Sequence, residues 1–233
     1  SQSENRQGTR RPTHVRHVVL GLTVAAYMIT YMDRQILAVA RPVIRDELGI
    51  SLVMMGWITF GFRMAYALFQ IPGGWLGDKI GARKALTIVV TWWSAFTCLT
   101  GAAWNAISML TIQVFFGLGE AGAFPIATRS LSRWMRPTER GFAQGVTHAG
   151  SRLGAALTPP IVVWIIAAWG WRAAFVAFGV LGVVWAVTWF FYYRDTPQEH
   201  HKCNDAEREL IGGGRKRPGN VPWRKILSHG NLW

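Results

Sequence analysis

Residues Ile107–Pro125 read ISMLTIQVFFGLGEAGAFP, an apolar run with a carboxylate, Glu120, in its interior. About 20 helical residues cross a hydrocarbon core of about 30 Å, so this run is long enough to span a bilayer. An ionisable group at that depth is costly and faces other protein or a water-filled cavity rather than lipid. At helical spacing Gln113, Gly117, Glu120, Phe124 and Ala127 share one side. Glu120 is then either a buried structural carboxylate held by one arginine, or a site for a proton or a charged substrate.

Working outward, runs of similar length recur along the 233 residues. With Ile107–Ala127 they are Val18–Val39, Leu52–Leu76, Ala85–Trp104, Phe142–Ala168 and Ala173–Tyr193. Six such runs in a chain that is 51% hydrophobic and 16% charged define an all-α polytopic membrane protein with six transmembrane helices. The first run is too long for a cleaved signal peptide and holds Asp33 and Arg34. Cys98 sits inside the third run and Cys203 in a polar tail, so no disulfide framework is expected. The net charge of +13 gathers at Arg6–Arg16, Lys79–Lys84, Arg133–Arg140 and Arg194–Lys225, which are alternate inter-span segments. That placement is membrane orientation with both termini cytoplasmic, and it argues against a nucleic-acid partner.

Polar residues inside the spans are the candidate site. In the first span Tyr27, Tyr31 and Arg34 share a face, while the adjacent Asp33 points about 100° away and needs its own partner. A guanidinium at membrane depth is suited to hold a carboxylate, either Glu120 or that of a substrate. In the second span Thr59, Arg63, Tyr66 and Gln70 form a polar stripe that must face inward. The third span has no charged side chain between Ala85 and Trp104 and reads as scaffold. Pro125 is positioned to kink the fourth. The fifth holds His148, Ser151 and Arg152, a small-xxx-small pair Gly150/Gly154, and Thr158-Pro159-Pro160, where a helix break is expected. Ser151 and His148 lack the setting of a nucleophile with its base, and His200-His201-Lys202-Cys203 alone is a weak metal pattern. Neither an enzyme, a metal site nor a cofactor is expected. In the tail, Asn204–Glu207 reads as a capping box that opens a short helix ended by Gly212–Gly214, and Val221–Leu227 as an interfacial amphipathic segment.

The second span runs into Gly74-Trp-Leu-Gly-Asp78-Lys79-Ile-Gly81-Ala-Arg83-Lys84. Its pattern and its position resemble the loop signature between the second and third spans of the major facilitator superfamily. YMDRQILAVARPVI, ALFQIPGGWLGDKIGARK, FGLGEAGAFP, GSRLGAALTP and the post-span RDTPQEH…NDAERELI together resemble one branch, the anion:cation symporter family, over nearly all of residues 16–233. That family's fold has twelve spans in two six-helix halves, each built of 3+3 inverted repeats, around a midplane site. The resemblance implies that this chain is an N-terminal half, with a C-terminal half missing after Trp233.

It also implies roles. Asp33 and Glu120 fall on the family's proton-coupling carboxylates, and Arg34, Tyr31 and Tyr66 on substrate-facing positions. Ser151 falls where relatives carry a polar fifth-span residue, and Arg63, Gln113 and Arg152 complete the expected substrate-binding set. Gln113 departs from the family, which carries an arginine seven residues before the fourth-span carboxylate; Arg63 is the candidate replacement. Gly74, Asp78, Lys79, Gly81, Arg83, Lys84 and Arg129 form the expected gating loop. The function implied is proton-coupled symport of a small organic anion, a sugar acid or an aromatic or dicarboxylic acid, by alternating access at a bacterial inner membrane. Its partners would be the anion, protons, membrane lipid and the second half. An inactive fragment, or a membrane-embedded sensor or enzyme, is the alternative. The expected organisation is a basic tail over residues 1–15, a six-helix unit over 16–193 and a cytoplasmic linker over 194–233.

Overall fold

A computed structural model describes residues 11–212; most of the basic tail and the Val221–Leu227 segment lie outside the described residues. Among the described residues there is no strand. The helices are α1 (Val15–Leu48), α2 (Leu52–Ile80), α3 (Ala82–Thr100), α4 (Ala106–Glu120), α5 (Ala123–Trp134), α6 (Arg140–Trp169), α7 (Trp171–Tyr192) and the short α8 (Asp205–Ile211). Their ends follow local chemistry. Gly49 ends α1 in the left-handed conformation, φ 63°, with its N–H on Arg45 O. The Ser51 hydroxyl accepts from Met54 N–H to open α2, and Asn105 with Ser108 forms a capping box on α4.

Five helical stretches are long and apolar enough to cross a membrane: α1, α2, α4 with α5, α6 with the turn before it, and α7. The third expected span, α3, is not among them, although its 19 residues have the required length. Arg83 and Lys84 in its first turn, and Thr87, Thr91, Ser94 and Thr97 beyond, dilute its apolar character. It packs between α4 and α7 inside the bundle.

The expected fourth span is broken into α4 and α5. Pro125 has no N–H for the Ala121 carbonyl, so the i to i+4 ladder is interrupted and restarts with Ile126 N–H on Gly122 O, 3.2 Å. The break also lets Gly73 of α2 lie against Gly122, where an added Cβ would come within 2.6 Å of the Gly122 Cα. At Pro159–Pro160 the expectation fails in the other direction, because α6 continues to Trp169. Its prolines lie on the partly exposed side of the helix, while Gly154 presses on the Met28 backbone and anchors α6 along α1. Prolines are tolerated in bundled spans held by such packing.

The three most extensive pairings are α1 with α6, α2 with α4, and α3 with α7. In span numbers these are first with fifth, second with fourth and third with sixth. Exchanging spans one to three with four to six reproduces the same three pairs, the signature of a 3+3 inverted repeat. Two large apolar cores result, beside a small third cluster of Leu131, Met135 and Ala143. One, around Trp93, Trp134, Trp189 and Tyr193, lies toward the loop after α2; the other, around Ile36, Ile44, Met55, Met109 and Trp171, lies toward the opposite end. Buried polar side chains, Asp33, Ser94, Thr97 and Gln113, fall between them. The outside is the reverse of a water-soluble surface: Leu68, Ile71, Trp164, Val184 and Phe191 are exposed, as lipid-facing residues would be.

Candidate functional site

The mid-layer site begins with the end of α4. Because the helix stops at Glu120, that carboxylate sits at a helix C-terminus, where unpaired carbonyls favour a cation nearby. Arg34 of α1 supplies it, donating from Nε to Glu120 Oε1 at 2.9 Å. The Glu120 side chain is 0% exposed and that of Arg34 28%, so the guanidinium reaches the carboxylate from an open side. The contact is made at one point. Arg34 Nη2 and Glu120 Oε2 are both buried and have no hydrogen-bond partner among the described residues. Four rings surround the guanidinium, with centroids at 4.7 Å (Tyr66), 5.6 Å (Tyr31), 5.7 Å (Phe62) and 5.9 Å (Phe124). Such faces stabilise a cation that burial would otherwise penalise.

Asp33 is buried on the neighbouring face of α1, and neither of its oxygens has a partner among the described residues. Its electrostatic neighbours are Glu120 and the Trp93 indole of α3, so it looks into the bundle and not toward the open side. Gln113 shares the helical side of Glu120 but is turned into the α3 seam, where Nε2 donates to Thr100 Oγ1 at 3.1 Å. Ser151 is also sealed, its hydroxyl donating to His148 O at 2.7 Å. Arg63 and Arg152 are exposed. The structure thus brings Arg34, Tyr31, Tyr66 and Glu120 together, sets Asp33 behind them, and keeps Gln113 and Ser151 in seams between helices.

A second network lies at the end of the bundle where α2 meets α3. Asp78 pairs with Arg129 of α5, and Lys79 stands over Trp75 at 5.0 Å. Gly74 packs on Pro125, while Lys84 points out, exposed. Gly81 has φ 85°, and an added Cβ there would meet the Asp195 carboxylate at 2.5 Å. Asp195 fills that space and accepts from Arg83 N–H at 3.2 Å, while Arg83 Nε donates to Phe190 O at 2.8 Å. Arg133 approaches Asp195 at 3.9 Å. A cavity of about 840 Å³ lies here, lined by Asp78, Arg129, Arg133, Asp195 and Arg208 among others. Neither Arg34 nor Glu120 lines it.

Two further long-range contacts tie the bundle. At the opposite end, Glu47 accepts from the Trp171 indole at 2.7 Å and pairs with Arg172. At the α2–α3 end, α8 is clasped to the start of α1. Glu207 is fully buried, accepting from Val15 N–H at 3.3 Å, Arg16 N–H at 3.0 Å and the Thr13 hydroxyl. The Asn204–Glu207 box is therefore only half made. Asn204 caps α8 through Glu207 N–H at 2.9 Å, but the Glu207 carboxylate caps α1 instead of returning to its own helix. Beside it, burial and this carboxylate push the Cys203 thiol up to about 11. His200, packed on Trp134 and Tyr192, is held below the usual imidazole range by burial. Sequence reasoning missed Glu47, Asp195 and the α1 cap by Glu207, because their partners lie more than 100 residues away and no local spacing signals them.

A bundle of inverted three-helix repeats with lipid-facing apolar sides and a charged mid-layer is the architecture of a secondary transporter. The chain belongs to the Major Facilitator Superfamily, whose sequence model matches residues 23–233. It is 40% identical over 217 residues to the Probable sulfoacetate transporter SauU of Cupriavidus necator, covering 91% of this chain and 50% of that protein. It is 36% identical over 201 residues to the Hexuronate transporter of Bacillus subtilis, covering 86% and 47% respectively. The fold matches the crystal structure of a bacterial homolog of the human lysosomal transporter Spinster, inward-facing and occupied, with TM-score 0.72 and 24% identity over 86% of this chain and 48% of that one. It also matches the proton:xylose symporter XylE, with TM-score 0.70 and 10% identity over 78% and 46%. These relatives are transporters, not enzymes. The chain spans about half the length of the curated relatives it matches.

Proposed function

We propose that this chain is the N-terminal half of a proton-coupled symporter for a small organic anion, working by alternating access. The observation that carries the reading is the single-point Arg34–Glu120 pair with a free donor and a free acceptor atom. Relatives named for sulfoacetate, hexuronate and galactarate/D-glucarate all carry organic anions, which agrees with a cationic binding group. In this mechanism a proton arrives on Glu120 Oε2, which faces no donor. The Coulomb hold on Arg34 weakens, and the guanidinium turns its free N–H groups to the carboxylate or sulfonate of the substrate. Tyr31 and Tyr66 flank that position and can donate hydroxyls to the anion. Asp33, unpaired behind Arg34, is the second proton station. The Asp78–Arg129 and Asp195–Arg83–Arg133 contacts act as the gate at the basic end, which the positive-inside rule assigns to the cytoplasm of a bacterial inner membrane.

The test is uptake of organic acids into proteoliposomes holding the full-length protein with both six-helix halves, driven by an inward proton gradient. Accumulation that collapses when the gradient is dissipated supports symport. Equal uptake with and without the gradient would overturn the coupling.

A further inference from the structure

Arg34 touches both segments of the broken fourth span. Its Nε donates to Glu120, the last residue of α4, and its Cζ stands 5.9 Å from the ring centroid of Phe124, in the first turn of α5. Phe124 also meets two rings of α1 edge-on, Tyr27 at 4.6 Å and Tyr31 at 6.2 Å. The next residues of α5 face α2. Pro125 packs on Gly74, Ile126 occupies the space a side chain at Gly77 would need, and Arg129 pairs with Asp78. On another side of the helix Thr128 accepts from Gln144 of α6 at 3.0 Å and lies 3.3 Å from the Tyr27 hydroxyl.

The mechanics follow from the break. The interrupted ladder at Pro125 separates α5 from α4, so α5 can tilt without bending its predecessor. From Ile126 to Trp134 it holds neither glycine nor proline and moves as one rod. Phe124 and Arg129 are five residues apart, about 7.5 Å along that rod. Cation–ring attraction holds Arg34 and Phe124 together while the guanidinium lies on Glu120. When the guanidinium turns away from Glu120 the ring loses that partner, and the resulting shift of α5 reaches Arg129. Neither Arg34 nor Glu120 lines the cavity beside Asp78 and Arg129, so direct contact through that space does not supply the link.

We infer that Phe124 is a positioning residue that ties the Arg34–Glu120 pair to the Asp78–Arg129 contact, with α5 as the rigid link between them. The inference rests on the proposed coupled-transport reading and names the path by which the state of the pair reaches the gate.

The experiment uses the full-length protein with both six-helix halves, in a background whose native cysteines are replaced by alanine. Ser132→Cys, on α5 at the cavity wall, reports the gate through its rate of labelling by a membrane-impermeant maleimide from the cytoplasmic side. Glu120→Gln stands for the protonated acid and should raise that rate by about fivefold or more, the low end of a site-to-site coupling. In Phe124→Leu the same Glu120→Gln change should leave the rate within about twofold, whereas Phe124→Tyr, which keeps the ring, should preserve the response. Phe124→Met is run beside Phe124→Leu, and melting in detergent identifies which of them keeps the fold. A full response in a folded ringless variant overturns the role of Phe124, and no response to Glu120→Gln in the parent overturns the link altogether. Two ringless variants that both unfold make Phe124 a folding residue and overturn its positioning role. In each of these cases gradient-driven uptake by the parent leaves coupled transport standing. A ring-dependent response with no uptake by the parent supports the link and overturns transport.

Discussion

Arg34 and Glu120 meet through one bond, Nε to Oε1 at 2.9 Å, and each keeps a second buried polar atom without a partner. A bidentate pair would be stronger and closed. In the proposed coupling mechanism a single proton on Glu120 opens this pair.

Replacing Glu120 with Gln keeps the shape and removes the proton acceptor. Gradient-driven accumulation should drop by about a hundredfold, the scale of losing one charge-assisted contact, while exchange of labelled for unlabelled substrate persists. Counterflow in proteoliposomes separates the two modes. Loss of both together would make Glu120 a substrate or folding residue.

Gln113→Arg tests the seam with α3. The side chain now donates to Thr100 in a buried site, so an arginine there would be a charge without a counter-ion. The expected result is a protein that melts several degrees lower, at about 2–4 °C per kcal/mol for a chain of this size. A shifted pH profile of uptake with unchanged melting would mean instead that the new guanidinium reaches Glu120.

Gly81→Ala should destabilise the α2–α3 end on two counts, its positive φ and the Asp195 carboxylate occupying the Cβ position. The backbone term alone is about 1–2 kcal/mol. Asp195→Ala removes the clash but also the acceptor for Arg83 N–H, so the double variant should not recover the wild-type melting temperature. Full recovery would show the steric term to be the whole effect.

Glu207 closes the N-terminus of α1 from 191 residues away in sequence. Glu207→Ala should cost about 1–2 kcal/mol as a lost cap, and it should free the start of α1 to fray. The Cys203 thiol gives the readout. In the wild type it is pushed up to about 11 and buried, so alkylation near neutral pH should be slow; in the variant it should be at least about tenfold faster. Equal rates would place the cap outside the local stability of this segment.

His200 sets a pH dependence for the same clasp. Its folded value lies below 6.5 because burial disfavours the imidazolium, so the unfolded segment binds more protons in that window. The His200 contribution is fully present above about pH 6.5 and is lost as pH falls below it. Hydrogen exchange over residues 200–208 should quicken from pH 7 to 5.5, after correction for intrinsic rates, and His200→Phe should flatten that trend. An equal trend in both proteins would locate the titrating group elsewhere.

What the sequence determined by itself was whatever short-range chemistry decides. Length and apolarity of the runs set the helices, Gly212 the end of the tail helix, Pro125 the break after Glu120, and the Gly74–Lys84 pattern the family. The depth of Asp33, Arg34 and Glu120 in apolar runs marked them as interior charges, because lipid offers no other place for them. Tertiary structure alone decided which of these charges meet. Helical spacing puts Gln113 and Glu120 on one side of a helix, yet α3 takes the first and α1 the second. Asp33 and Arg34 are adjacent in the chain, yet one looks into the bundle and the other toward the open side. Glu207 looked like the second half of a local capping box and instead caps a helix from the other end of the chain. A side chain's partner is fixed by which helices lie against it, and the balance of packing that arranges them is spread over the whole bundle, where no local spacing records it.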